Sequence, residues 1–411
     1  VSINGQIAAP TLRWREGEEV TINVVNRLDE DTSIHWHGIL LPQYMDGVPM
    51  VSFAGIKPGT TFTYRFKVRQ SGTYWYHSHS NGQEQEGLYA PIVIEPAGGE
   101  RYRVERDYVV MLSDHHPLSP GAILRKLKQE PGYFNDRRRT LPGLLRELGN
   151  AKSGEERQAI VRDRLDWAEM RMDPTDLADV TGYTFLVNGK GPADNWTGLF
   201  RPGEKVRLRF INGSAMSILD VRIPGLKLEV VQADGQDIVP VAADAFRIGV
   251  GETYDVIVEP REDRAYTIHA ASIDRRVAAR ATLAPREGMA GTIPALPPPS
   301  LLTMADMRAN GTATGGTLFE VDKDRQLMFI IVDGLTVWTI NVSTGSGIPF
   351  KERDKTQWGN WIQGDAQTPD GIFEVRALKL CRPLDLALFW LPFESPRHDN
   401  VHLGVESDDG E

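Results

Sequence analysis

Two distant stretches of this chain follow one plan. Ile3-Asn4-Gly5-Gln6 leads to Arg15-Glu16-Gly17-Glu18, and the strand-like "TINVVN" (Thr21 to Asn26) follows. Val187-Asn188-Gly189-Lys190 leads to Arg201-Pro202-Gly203-Glu204, and "RLRFIN" (Arg207 to Asn212) follows. Arg201 lies 186 residues after Arg15. Both copies close alike, with "KPGTTFTYRFKV" from Lys57 and "GVGETYDVIVEP" from Gly249. Apolar residues alternate with period two, the spacing of side chains on a strand, and Gly-bearing turns punctuate them. A repeat on this scale predicts a duplicated β unit.

The 411 residues leave room for several cores. We read residues 1–97 as a first β-sandwich and 177–290 as its diverged copy. Between them, 98–176 supplies a connecting strand and then a charged stretch with apolar residues at three- and four-residue spacing. That pattern predicts a helical insertion. Residues 291–320 carry the stiff Pro-rich "TIPALPPPS". Residues 321–411 show no further copy and read as an incomplete or altered third domain with an acidic tail.

A net charge of −10 argues against a nucleic-acid partner, and Arg137-Arg138-Arg139 reads as a solvated loop. No apolar run is long enough to span a membrane. The single cysteine, Cys381, excludes an internal disulfide and a Cys-rich zinc site. Opening on Val1 in strand-like sequence, the chain reads as a processed product with its targeting segment removed. A homo-oligomer stays open.

The chemistry concentrates in histidine. The chain has nine, and four stand in two His-x-His pairs, "SIHWHG" (His35, His37) and "WYHSHS" (His77, His79). Residues i and i+2 of a strand share a face about 6.6 Å apart. Two adjacent strands therefore present four imidazoles to one point, a donor set suited to copper, zinc, nickel or iron. Trp36 and Ser78 are expected to face the other way. Where the repeat aligns the first pair, the second unit reads "DVRIPG" from Asp220. His115, His116 and His269 read as structural or exposed. The pair His398 and His402, four apart, reads as accidental so near a terminus.

"HWHG", "GTYWYHSHS" and "QEQEGLYAPIVIE" resemble the first domain of the multicopper oxidases, and the longer "HWHGILLPQYMDGVP" and "NWTGLFRPGEKVRLRFINGSAM" resemble the CopA-type periplasmic copper-resistance branch. The resemblance spans about residues 1–305. It implies an all-β fold of tandem cupredoxin-like Greek-key β-sandwiches. It implies copper cofactors, with His35 on a type 2 copper and His37, His77 and His79 on a type 3 pair. It implies oxidation of Cu(I) or small phenolic substrates coupled to reduction of dioxygen to water. Asp46, Asp114, Glu84 and Glu86 are the candidate proton carriers. The family's third-domain motifs, including a cysteine flanked by histidines for type 1 copper, are not found; Cys381 sits in "LKLCRPLD". Either the third domain is truncated or altered, or a partner chain supplies the missing ligands. The alternative function is a non-catalytic periplasmic protein that sequesters copper.

Overall fold

In the computed structural model, residues 1–306 are described apart from Ala9 and Ala305; beyond them only the backbone of short strands is described. Contacts divide the chain into two units, Val1–Met307 and Arg308–Glu411.

The first unit opens with β1 (Leu12–Arg15), β2 (Glu19–Val25), β3 (His35–His37), β4 (Thr61–Lys67), β5 (Gly72–His77) and β6 (Tyr89–Glu95). Four of them form a sheet in the order β1-β6-β5-β3, and β2 pairs with β4. The alternation "TFTYRFK" sends Tyr64 and Phe66 inward and leaves Arg65 and Lys67 exposed. They meet Trp36, Tyr74, Tyr76, Ile92 and Ile94 in one core. Pro91, which lacks an N–H for the ladder, is tolerated because β1 pairs with β6 only from Ile92 onward.

β7 (Arg106–His115) runs parallel to β10 (Val206–Asn212), inside the second sandwich. Between lie α1 (Pro120–Gln129), α2 (Leu141–Asn150) and α3 (Gly154–Glu169). Each helix begins at a hydroxyl cap: Ser119, Thr140 and Ser153 accept from the backbone N–H three residues on. Ile123 of α1 joins the core of the second sandwich.

The other strands are β8 (Thr184–Val187), β9 (Thr197–Leu199), β11 (Leu219–Arg222), β12 (Leu228–Ala233), β13 (Gln236–Ala243), β14 (Ala245–Ile248), β15 (Thr253–Val258), β16 (Tyr266–Ser272) and β17 (Ala278–Ala284). They complete two sheets, β13-β12-β15-β10-β7-β8 and β14-β11-β16-β17-β9. Aliphatic and Phe side chains such as Val110, Leu208, Phe210, Ile268 and Leu283 fill the space between them. The fold is all-β with a helical insertion.

In the second unit, strands Thr317–Asp322, Leu327–Val332, Leu335–Asn341, Phe373–Val375, Leu391–Glu394 and Asn400–Leu403 form one sheet. His402 lies on the last of these, so its backbone is strand rather than helix. Cys381 and His398 fall outside the described residues.

Candidate metal centre

β3 and β5 are antiparallel neighbours, and their register sets His35 directly opposite His77 and His37 opposite Trp75. Trp36 turns to the opposite face and is buried in the core, which fixes both histidines on the other side. The Ser78 hydroxyl likewise turns to Gln83, donating to Oε1 at 2.9 Å. The result is a single cluster of four rings. Centroids lie 4.7 Å apart for His35 and His79, 5.0 Å for His77 and His79, and 5.4 Å for His37 and His77. One ring nitrogen from each of His35, His37 and His77 falls within 4.8 Å of the others.

Carboxylates hold two of the rings from behind. His35 Nδ1 lies 2.8 Å from the Asp46 carbonyl oxygen and 3.4 Å from Asp46 Oδ1. His77 Nδ1 lies 2.8 Å from Glu84 Oε2. With Nδ1 engaged, Nε2 of each ring is left to face a ligand, the usual way a carboxylate orients a metal-bound histidine. His77 Nε2 indeed points into the cluster, 3.3 Å from His37 Nδ1. Gly47 makes the Asp46 contact possible. Its φ is +80°, and a Cβ there would meet the Ile34 carbonyl oxygen at 1.7 Å.

The loop after β5 is pinned by hydroxyls. Ser33 Oγ accepts from the His79 N–H at 2.9 Å and lies 3.0 Å from Ser80 Oγ. Gln83 Oε1 accepts from Thr32 Oγ1 at 2.7 Å as well as from Ser78. These bonds set both His79 and Glu84.

The second sandwich forms the back wall. Trp75 stacks on His77, centroids 4.1 Å apart and planes at 14°, and its Nε1 donates to the Gly251 carbonyl at 3.3 Å. Gly251, at φ +81°, lies so close to His37 that a Cβ would meet the ring at 3.1 Å. Lower on β5, Thr73 Oγ1 donates to Asp255 at 2.7 Å, and Asp255 also binds the buried Arg207 and Arg209.

Electrostatics favours neutral, ligand-ready rings. Burial, reinforced by His77, His35 and His79, lowers the His37 pKa to about 3. His79, at the rim, is lowered to about 4 by the covering of its ring and by His77 and His35. For His35 burial also opposes protonation, but the hydrogen bond and charge of Asp46 outweigh it, and its pKa is raised. Neutral imidazoles around a common point, two of them carboxylate-held, fit a copper ion by donor type and by orientation.

Of the four candidate proton carriers, Asp46 and Glu84 touch the histidines. Glu86 is exposed, its backbone carbonyl accepting from the Val1 amino group. Asp114 is buried elsewhere, accepting from the Ala215 N–H and the Ser217 hydroxyl. Burial raises its pKa to about 6. His116 is buried, accepting at Nδ1 from the Leu118 N–H. Sequence reasoning missed Gly251, Ser33 and Gln83. Gly251 stands 214 positions from His37 and carries no local signal.

Two family models described as multicopper oxidase match residues 1–99 and 161–288. Copper resistance protein A of Escherichia coli is 55% identical over 312 residues, 75% of this chain and 51% of that protein. Copper resistance protein A of Pseudomonas syringae pv. tomato is 54% identical over 317 residues, 77% of this chain and 51% of that one. The crystal structure of a laccase from Botrytis aclada superposes with a TM-score of 0.52 at 28% identity, covering 71% of this chain and 51% of that one. The chain thus spans about half the length of the curated relatives it matches. Among the described residues no helix is long and apolar enough to cross a membrane. With both sandwiches matched and more than half of the aligned residues identical to copper-resistance proteins, the chain belongs to the multicopper oxidase family.

Proposed function

We propose that this chain is the ligand-bearing part of a copper-resistance multicopper oxidase, acting in the periplasm. In this reading His35 holds a type 2 copper, and His37, His77 and His79 hold a type 3 pair. The centre couples oxidation of Cu(I) or a small phenol to reduction of dioxygen to water. Residues 1–97 are the ligand-bearing cupredoxin-like domain and 177–290 its ligand-free copy. The remaining ligands, type 1 copper included, come from outside the described residues or from another chain.

The observation that carries this reading is the convergence of imidazole nitrogens from two paired strands, His35 opposite His77 and three ring nitrogens within 4.8 Å. Bound copper supplies the one-electron chemistry for dioxygen reduction. Asp46 and Glu84 fix the Nδ1 protons of His35 and His77 so that Nε2 is the ligand atom. Both carboxylates are partly exposed, so each also links the centre to solvent and can carry protons inward. Trp75 and Gly251 close the inner side against water.

The sequestration reading rests on the four histidines alone. The family matches favour the oxidase over it. Copper counting after dialysis, with oxygen uptake on Cu(I) and on a phenol, tests the pair. His77→Ala is expected to lose copper and any oxygen uptake together. Unchanged copper loading in His77→Ala and His37→Ala refutes the ligand assignment. Full loading with no oxygen uptake on either substrate favours sequestration.

A further inference from the structure

The second sandwich has its own version of the histidine face. Asp220-Val221-Arg222 aligns with His35-Trp36-His37, and β11 pairs with β16 as β3 pairs with β5. Val221 enters the core as Trp36 does. Arg222 stands opposite His269 in register. The outer face of this sheet is thus polar at the positions where the first sandwich collects its rings.

His269 is almost wholly buried, and its Nδ1 has no hydrogen-bond partner. An unpaired buried nitrogen is costly and calls for a cause. The residue borders a cavity of about 410 Å3. Its walls are apolar: Pro192, Ala278, Ile293, Pro294 and Leu296. The Pro-rich segment forms one wall and is tied to the sheet. Thr267 Oγ1 donates to the Thr292 carbonyl at 3.0 Å, and Arg222 Nη2 to the Ala295 carbonyl at 3.2 Å.

The remaining wall is Arg280. Its Nε donates to the Pro192 carbonyl at 2.9 Å, and among the described residues its two terminal nitrogens make no hydrogen bond. Arg222 and Arg275 add positive charge nearby. Burial first, and then these two, lower the His269 pKa to about 4, so the ring is neutral. Asp220 engages Arg247 and Arg275 and leaves Arg280 uncompensated.

We propose that this cavity binds a small aromatic monocarboxylate. The ring lies against Ile293, Pro294 and Leu296. The carboxylate takes the fork of Arg280 and a hydrogen bond from His269 Nδ1–H. Neither a purely apolar guest nor an inorganic anion satisfies both the walls and the two donors. The space suffices, since a cavity of about 150 Å3 holds benzene.

Benzoate titrated into the full-length chain, followed by calorimetry and by amide shifts in nuclear magnetic resonance spectra, tests the proposal. One saturable site is expected, with acetate about ten-fold weaker or worse for want of an apolar body. Arg280→Gln is expected to weaken benzoate about ten-fold or more through the lost charge-assisted bonds. His269→Leu is expected to weaken it without lowering Tm, because it removes the unpaired nitrogen. Arg286→Gln, whose partner is the exposed Asp263, is expected to leave binding unchanged. Failure to saturate by about 10 mM benzoate, equal affinity in Arg280→Gln, or acetate binding as tightly as benzoate overturns the proposal. In the first case water satisfies the imidazole.

Discussion

Replacing Gly47 with alanine perturbs the centre without touching a ligand. Two costs follow from the geometry. The backbone sits at φ +80°, where a residue with a Cβ pays about 1–2 kcal/mol. The new methyl would also fall 1.7 Å from the Ile34 carbonyl oxygen and 2.6 Å from its carbon. Both are backbone atoms of the chain entering β3, so no rotamer change relieves the clash. Overpacking of this kind costs about 1–3 kcal/mol, giving a total of about 2–5 kcal/mol. Gly59 is the matched control: its φ is +71°, and a methyl added there would have nothing within 4 Å. Gly59→Ala therefore carries the first cost alone. Denaturant unfolding of the copper-free chain, monitored by tryptophan fluorescence, reads both variants. Gly47→Ala should be the less stable by about 1–3 kcal/mol. Because the clash pushes the Asp46 carbonyl off His35 Nδ1, copper affinity should fall about 10–100-fold in Gly47→Ala and hold in Gly59→Ala. Equal stability losses in the two variants refute the close-approach argument.

Three other expectations rest on separate contacts. Glu84→Gln keeps the size but not the charge behind His77 Nδ1, and should weaken copper about ten-fold in a competition titration against a chelator; His77→Ala marks the floor. Asp255→Ala leaves Arg207 and Arg209 buried beside one another with their shared carboxylate gone. That should cost about 3–5 kcal/mol, read from the unfolding midpoint and nearly insensitive to salt. Acid should destabilise the metal-free chain through His37. Its pKa falls from 6.5 unfolded to about 3 folded, so the unfolded chain holds the extra proton between those values. Stability from this group is present above pH 6.5 and is lost as pH falls toward 3, by about 1.4 kcal/mol per unit. His37→Gln should flatten that slope when unfolding is compared at several pH values. His35 acts in the opposite sense: its raised pKa contributes below 6.5 and is lost as pH rises through the folded value.

The alternation in "TFTYRFKV" and the spacing of His35, His37, His77 and His79 are enough to place one face of a sandwich and its histidines. Two-residue periodicity is local, and a side chain's face follows from it directly. The partners behind those rings are legible in part. Asp46 and Glu84 sit within a few residues of the histidines and are among the candidates. Glu86 and Asp114 are the same residue types, yet the first lies exposed on the 81–87 turn and the second bonds to Ala215 and Ser217. A carboxylate's direction in a loop depends on turn geometry that composition does not encode. Gly251 and Asp255 come to β5 from a different sandwich. Only the tertiary pairing puts them there, so nothing near His77 in the sequence announces them.

β5 is buried on both faces. One side packs into the first core through Tyr74 and Tyr76, and the other carries Trp75 into a small cluster with Tyr89, Met111 and Ile211. An excised N-terminal fragment would expose that second side to water, together with Thr73 stripped of Asp255. The duplicate that lacks the histidines thus serves as a foundation. Grafting the His-x-His pairs onto an isolated sandwich would copy the donors and leave out the masonry that aims them.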